Sequence, residues 1–304
     1  MKKTYMFAII VAMLVGAITY WTLTAPKNPM IEIDGSSTVF PITQAVAEEF
    51  QKENPEVRVN VGISGTGGGF KRFIRGEIDI VDASRPIKPS ERQTAAENGI
   101  EFLEFQIAID GLAVVVNPQN DWVDYMTLQE LNMTWRQGSN VEYWSDIRPK
   151  WPNQRIDLYG PGTDSGTFDY FTEVVIGEED ASRPDYTASE DDNILVQGVA
   201  GDPYALGYFG YAYYKQNADK LKIVPIDAGD GPVTPTDETI IAGDYPLSRP
   251  LFIYVNKEAI ARPEVKAFLK FYMKNAEQLA IEVGYTPLPA SKYQENLQII
   301  EQEP

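Results

Sequence analysis

The sequence predicts an α/β protein built on mostly parallel sheets. Two observations carry that prediction. Strand-like runs alternate with helix-period stretches along the chain, and three of those runs end in Gly/Ser/Thr loops that open helices. The 304 residues are 43% hydrophobic, 12% aromatic and 23% charged, which suits a folded chain with room for about two domains.

The elements follow in order. Lys2 and Lys3 precede an uncharged run from Thr4 to Pro26, so residues 1–27 read as an export segment. Val15 and Ala17 suit a cleavage site. The competing reading is a retained anchor over residues 4–26, with Tyr20 and Trp21 at the membrane interface. IEID then enters GSSTVFP and a helix with Ile42, Ala45, Val46 and Phe50 on one side. VRVNVGIS alternates as a half-buried strand does. A glycine-rich turn follows, leading into a short helix with Phe70, Phe73 and Ile74 that Gly76 ends. EIDIVDAS, GLAVVVNP and RIDLYG are further strands. The last of these opens into GPGTDSGT and a helix with Phe168, Phe171, Val175 and Ile176, capped by Gly177. A long final helix starts near Pro263.

Composition removes whole classes of chemistry. With no cysteine and no histidine, the chain has no thiolate nucleophile, no imidazole base and no ligands for a Cys/His metal site. We expect no metal and no cofactor. The formal charge of −18 argues against a nucleic-acid partner. The loops lack the order of a nucleotide P-loop, and no S-x-x-K accompanies their serines. An enzyme is therefore not expected. Asp110, Asp164 and Asp169 are the carboxylates that could form a general acid–base pair.

What remains is three loops that each present hydroxyls and helix-N-terminal N–H groups: Gly35-Ser36-Ser37-Thr38, Ser64-Gly65-Thr66-Gly67-Gly68-Gly69 and Asp164-Ser165-Gly166-Thr167. Unpaired N–H groups and the helix dipole favour an anion at such ends. Singly, each is an ordinary cap. Together, at the carboxyl ends of strands in an open α/β sheet, they point to one shared site. Ser84-Arg85-Pro86 adds a guanidinium at another strand end.

DGSSTVFP, SGTGGGF, DASRPI, DSGTFDYF and ALGYFGYAYY resemble, in order, the phosphate-binding proteins of bacterial phosphate ABC transporters. The resemblance spans about Ile31 to Tyr285. It implies a two-lobed, hinged periplasmic binding protein of type II, with phosphate in the cleft between lobes. One lobe would hold 31–112 plus 250–304 and the other 113–249, with crossings near Asp110–Val116 and Leu247–Tyr254. The partners implied are inorganic phosphate and the ABC transporter permease subunits. The protein is expected to be a periplasmic monomer that touches the membrane only through its N-terminal segment. A membrane-anchored phosphate sensor or adhesion protein is the alternative, followed by a phosphate-ester hydrolase.

Carried over residue by residue, the resemblance assigns phosphate contacts to Ser37, Thr38, Thr66 (or Ser64), Ser165, Gly166 and Thr167. Some members have an arginine ahead of the third loop, where this chain has Pro161-Gly162. Ser84 and Arg85 stand where those members place an aspartate. Arg85 is then the expected cationic ligand, and Asp110 or Asp164 the expected acceptor of the phosphate proton.

Overall fold

The computed structural model describes residues 29–304 except 164 and 179. The expected export segment and Asp164 lie outside the described residues. Strand β1 (Met30–Gly35) buries Ile31 and Ile33 and hands the chain to helix α1 (Phe40–Glu53), which buries Ile42, Val46, Ala47 and Phe50. Strand β2 (Arg58–Ile63) joins β1 in parallel and leads into α2 (Gly65–Phe73). Strand β3 (Ile80–Ala83) lies on the other side of β1, also parallel, and α3 (Pro89–Glu97) follows it.

Strand β4 (Phe102–Val116) organises the middle of the chain. After it come β5 (Met126–Thr127), α4 (Leu128–Trp135), α5 (Trp144–Ile147), β6 (Asp157–Gly160) and α6 (Gly166–Phe171). Helix α6 runs directly into a π-helical turn, Thr172–Ile176, that ends on left-handed Gly177. The chain continues through β7 (Thr187–Ala188), α7 (Asp192–Gly201), β8 (Ala205–Gly210) and α8 (Tyr211–Gln216). Short strands β9 (Lys222–Ile223), β10 (Ile226–Asp227) and β11 (Pro232–Val233) precede α9 (Asp237–Ala242). Strand β12 (Ser248–Asn256), α10 (Lys257–Ile260), α11 (Pro263–Glu282) and α12 (Ala290–Gln302) complete it.

The main sheet has the order β2-β1-β3-β12-β4-β8-β6-β7, with β9 also on β4. Pairing is parallel in the outer parts, while β12 and β4 run antiparallel to their neighbours. The parallel sheet expected from strand–helix alternation is therefore interrupted at its centre, because two long strands cross the molecule in opposite directions. Strand β4 pairs with β12 through Gly111 and with β8 from Leu112 onward. A β-bulge in β4 leaves Ile107 without a partner, because Leu251 pairs with Ala108 and the next residue, Phe252, with Gln106. Helices flank this curled sheet and give the two-lobed α/β architecture that places loops from several strand ends beside one another. Among the described residues, no helix is long and apolar enough to cross a membrane.

Candidate functional site

The three loops are built differently, and that decides what each can offer. In the first, Ser36 is fastened: its N–H donates to the Asp82 carbonyl at 3.0 Å. A side chain at Gly35 would meet that same carbonyl at 2.1 Å, and Gly35 has φ +149°, so only glycine lets β1 and the end of β3 close up here. Asp82 itself is buried, accepts from Thr43 Oγ1 at 2.9 Å, and is pushed up to about 8 by burial. At neutral pH it is mostly the uncharged acid. Thr43 Oγ1 also lies 3.1 Å from the Tyr272 hydroxyl, so the three groups form one buried hydrogen-bonded chain.

The second loop opens α2, and the Ser64 side chain does not cap it. The N–H groups of its first turn have no intrahelical acceptor. Thr66 Oγ1 accepts from the Ser84 N–H at 3.2 Å and lies 3.1 Å from Ser84 Oγ, which ties the second loop to the end of β3. The third loop caps itself. Ser165 Oγ accepts from the Thr167 N–H at 3.2 Å, the ordinary role of a serine before a helix.

A polar cleft of about 290 Å³ is lined by Ser36, Ser37, Thr38, Ser64 to Gly68, Ser84, Arg85, Lys88, Asp169, Glu173 and Arg249. That size lies at the lower end for ligand sites and suits a small ion. Of the expected residues, Ser37, Thr38, Thr66, Ser84 and Arg85 line it together. Ser165, Gly166, Thr167 and Asp110 do not. Gly166 sits just behind the wall, with its carbonyl 3.5 Å from Thr38 Oγ1.

Arg85 is not the sole cation of the cleft. Its fork is held by Glu91 at 2.8 Å on both nitrogens, while the Glu91 carboxylate also accepts from the Lys88 N–H at the start of α3. Arg249, at the start of β12, was not singled out from the sequence. Its Nη2 donates to Thr38 Oγ1 at 2.7 Å, its Nε to Asp110 at 3.3 Å and its Nη1 to Glu173 at 3.3 Å. The guanidinium carbon lies 3.8 Å from the Tyr170 ring centroid. Ser248-Arg249-Pro250 repeats the Ser84-Arg85-Pro86 tripeptide inside an expected crossing, a usable signal. The tripeptide alone is not specific, since Ser182-Arg183-Pro184 holds a buried arginine paired with Asp185 at 2.7 Å.

The carboxylates are also rearranged. Asp110 is buried behind Arg249. Burial raises its pKa while Arg249 pulls it back. Asp169 is the aspartate that faces the cleft among the described residues. It lines the cleft, accepts from Ser37 Oγ at 2.8 Å, and is raised chiefly by partial burial, with the nearby Asp180 adding to the shift. Ser37–Asp169 and Thr38–Gly166 both join the first loop to the third.

A family model described as a PBP superfamily domain matches residues 22–276. The chain belongs to that superfamily. As a PBP superfamily member it is similar to Protein SphX of Synechocystis sp., at 49% identity over 86% of this chain and 80% of that protein. It is 41% identical to the phosphate-binding protein PstS of Staphylococcus saprophyticus, over 86% of this chain and 81% of the other. The crystal structure of a possible phosphate-binding protein from Planctomyces limnophilus superposes with a TM-score of 0.87 at 52% identity. That match covers 91% of this chain and 99% of the other. The Staphylococcus relative is named for phosphate binding and the Planctomyces structure for possible phosphate binding, which is a transport-receptor role and not an enzyme class.

Proposed function

We propose that this PBP superfamily member captures inorganic phosphate outside the cytoplasmic membrane and delivers it to an ABC transporter, without catalysing a reaction. The observation that carries the proposal is the convergence of hydroxyls and helix-N-terminal N–H groups from the first two loops with Arg249 on one small polar cleft. Each hydrogen bond to a charged ligand contributes about 1.5–3 kcal/mol in such surroundings. A few of them reach micromolar affinity after ordering costs. Relatives named for phosphate binding support the choice of ion.

The phosphate-contact set is Ser37, Thr38, Thr66, Ser84 and Arg249, with Arg85 and Lys88 on the far wall. Gly166 holds the first loop from behind. We assign acceptance of the phosphate proton to Asp169, the carboxylate that faces the cleft beside Ser37. A carboxylate welcomes a phosphate O–H and repels sulfate, which has no proton to give at neutral pH. The change of partner along β4 at Gly111/Leu112 supports dividing the chain into a lobe of 31–112 plus 250–304 and a lobe of 113–249. A site made within a single chain supports one phosphate per chain, and no residue of a second copy is needed to complete it among the described residues.

Titration calorimetry with phosphate and sulfate tests this. One phosphate per chain is expected, with sulfate weaker by about ten- to hundredfold. As pH falls through the raised pKa of Asp169, that carboxyl gains a proton and can donate to sulfate, so the discrimination narrows. Asp169→Asn removes both the discrimination and its pH dependence. Equal affinity for the two anions in the native chain overturns the Asp169 assignment, and absence of phosphate binding overturns the function. No release of a chromophore from a phosphate ester is expected.

A further inference from the structure

Arg249 carries two carboxylates, and they are not equivalent. Asp110 is a permanent partner: its side chain is 2% exposed and shares the strand pairing of β4 with β12 at the Arg249 position itself. It already balances the guanidinium charge in the interior. Glu173 is 58% exposed and reaches Arg249 Nη1 from the solvent side, at 3.3 Å, from within the cleft lining. The Glu173 charge also acts on Arg85 across the cleft. Arg249 is 11% exposed, but Glu173 is open to solvent and the contact is long, so the pair contributes little to stability and folding does not require it.

The backbone that carries Glu173 is, by contrast, firmly built. It lies in the π-helical turn Thr172–Ile176, closed by the Gly177 N–H on the Thr172 carbonyl at 3.0 Å. Thr172 Oγ1 donates to the Phe168 and Asp169 carbonyls at 3.0 Å and accepts from the Asp180 N–H at 2.9 Å. Asn132 Nδ2 takes the Val175 and Ile176 carbonyls at 2.9 and 3.4 Å. Such turns are uncommon inside helices and concentrate at functional sites. Here the turn presents residue 173 to the arginine.

We infer that Glu173 is an internal anion that holds the solvent-side nitrogen of Arg249 until the incoming ligand displaces it, and so sets the affinity of the cleft. The inference rests on the phosphate reading above. Asp110 stays in place and keeps the arginine charged and oriented. Glu173 swings into solvent when phosphate oxygens take its nitrogen. The cleft thereby binds less tightly than its donors alone allow, which eases release.

Phosphate titration of the full chain tests this at low ionic strength, comparing the native protein with Glu173→Gln and Glu178→Gln. Glu178 is an exposed carboxylate five residues on, outside the cleft lining. Glu173→Gln is expected to bind phosphate about two- to fivefold more tightly, the worth of a long ion pair open to solvent on its carboxylate side, and Glu178→Gln to leave affinity unchanged. Unchanged or weaker binding by Glu173→Gln, with the native chain binding normally, overturns the inference alone. An equal gain in both variants also overturns it, because the effect is then that of the overall field. A native chain that binds no phosphate overturns the reading of the cleft and this inference with it.

Discussion

Arg249 and Arg85 differ in what their nitrogens are doing, and their replacement should separate accordingly. Arg85 gives both terminal nitrogens to Glu91 and packs over Phe70 at 5.4 Å from the ring centroid. Arg249 holds Thr38, the most deeply buried residue of the first loop's ligand set. Losing two charge-assisted hydrogen bonds lowers affinity by at least about a hundredfold. Arg249→Ala alone also strands Asp110, a buried carboxylate without its partner. The cleaner test is Arg249→Ala combined with Asp110→Asn, with folding followed by circular dichroism. Phosphate binding should fall by that factor, whereas Arg85→Ala should cost less than about tenfold. Equal losses would place Arg85 on the ligand instead. This asymmetry explains which part of the site was legible from residues alone. Ser37, Thr38 and Thr66 sit in local Gly/Ser/Thr patterns whose N-terminal chemistry is visible in a short window, and Ser84 stands beside Arg85 at a strand end. Arg249 reaches Thr38 across 211 positions, through a strand pairing that no local pattern encodes. Ser165 shows the opposite case, a local signal whose hydroxyl is spent on its own helix.

At the scale of elements, glycines mark where backbones touch, and three of them predict three outcomes. Gly69 lies on the face of α2 against β1, where a methyl group would come within 2.7 Å of Gly35 Cα and of Val81. Gly69→Ala should destabilise the protein by about 1–3 kcal/mol through overpacking. Gly166 is the first residue of α6, and a methyl group there would lie 2.7 Å from Thr38 Cα. The clash is with backbone, so Gly166→Ala should force the first and third loops apart and lose stability on the same scale as Gly69→Ala. Phosphate affinity should drop by about tenfold or more, the cost of losing one good contact across the cleft. At Gly67 the nearest atom is an Arg85 nitrogen at 3.9 Å, so Gly67→Ala should be tolerated in both respects. Melting curves and titrations on the three variants check the pattern, and a stability loss in Gly67→Ala equal to that of Gly69→Ala contradicts it. The strand–helix order behind these contacts was readable because each element buries its own apolar face, as Phe70 and Phe73 do in α2. The π turn after Phe171 was not, since Val175 and Ile176 also fit an ordinary helix that Gly177 ends. Nor was the antiparallel centre of the sheet. Long strands such as β4 look the same locally whichever way their neighbours run.

For the molecule as a whole, charge and function pull in opposite directions. The chain carries a formal charge of −18, and its ligand is an anion. Long-range attraction cannot bring them together. The cleft does not reverse this locally, because Arg249, Arg85 and Lys88 are matched by Asp110, Glu173, Glu91 and Asp169 at or just behind its walls. Binding therefore rests on short-range donors that salt screens weakly, whereas approach is opposed by a field that salt screens well. The two halves of the reaction should respond differently to ionic strength. Raising salt from about 0.01 to 0.15 M shortens the screening length from about 30 to about 8 Å. The phosphate association rate should then rise, measured by stopped-flow fluorescence, with a smaller change in the dissociation rate. A protein that steers its ligand by a positive potential shows the reverse, an association rate that falls with salt. That result would mean the arginines project beyond their carboxylate partners into solution, and that the cleft attracts phosphate from a distance as well as holding it on contact.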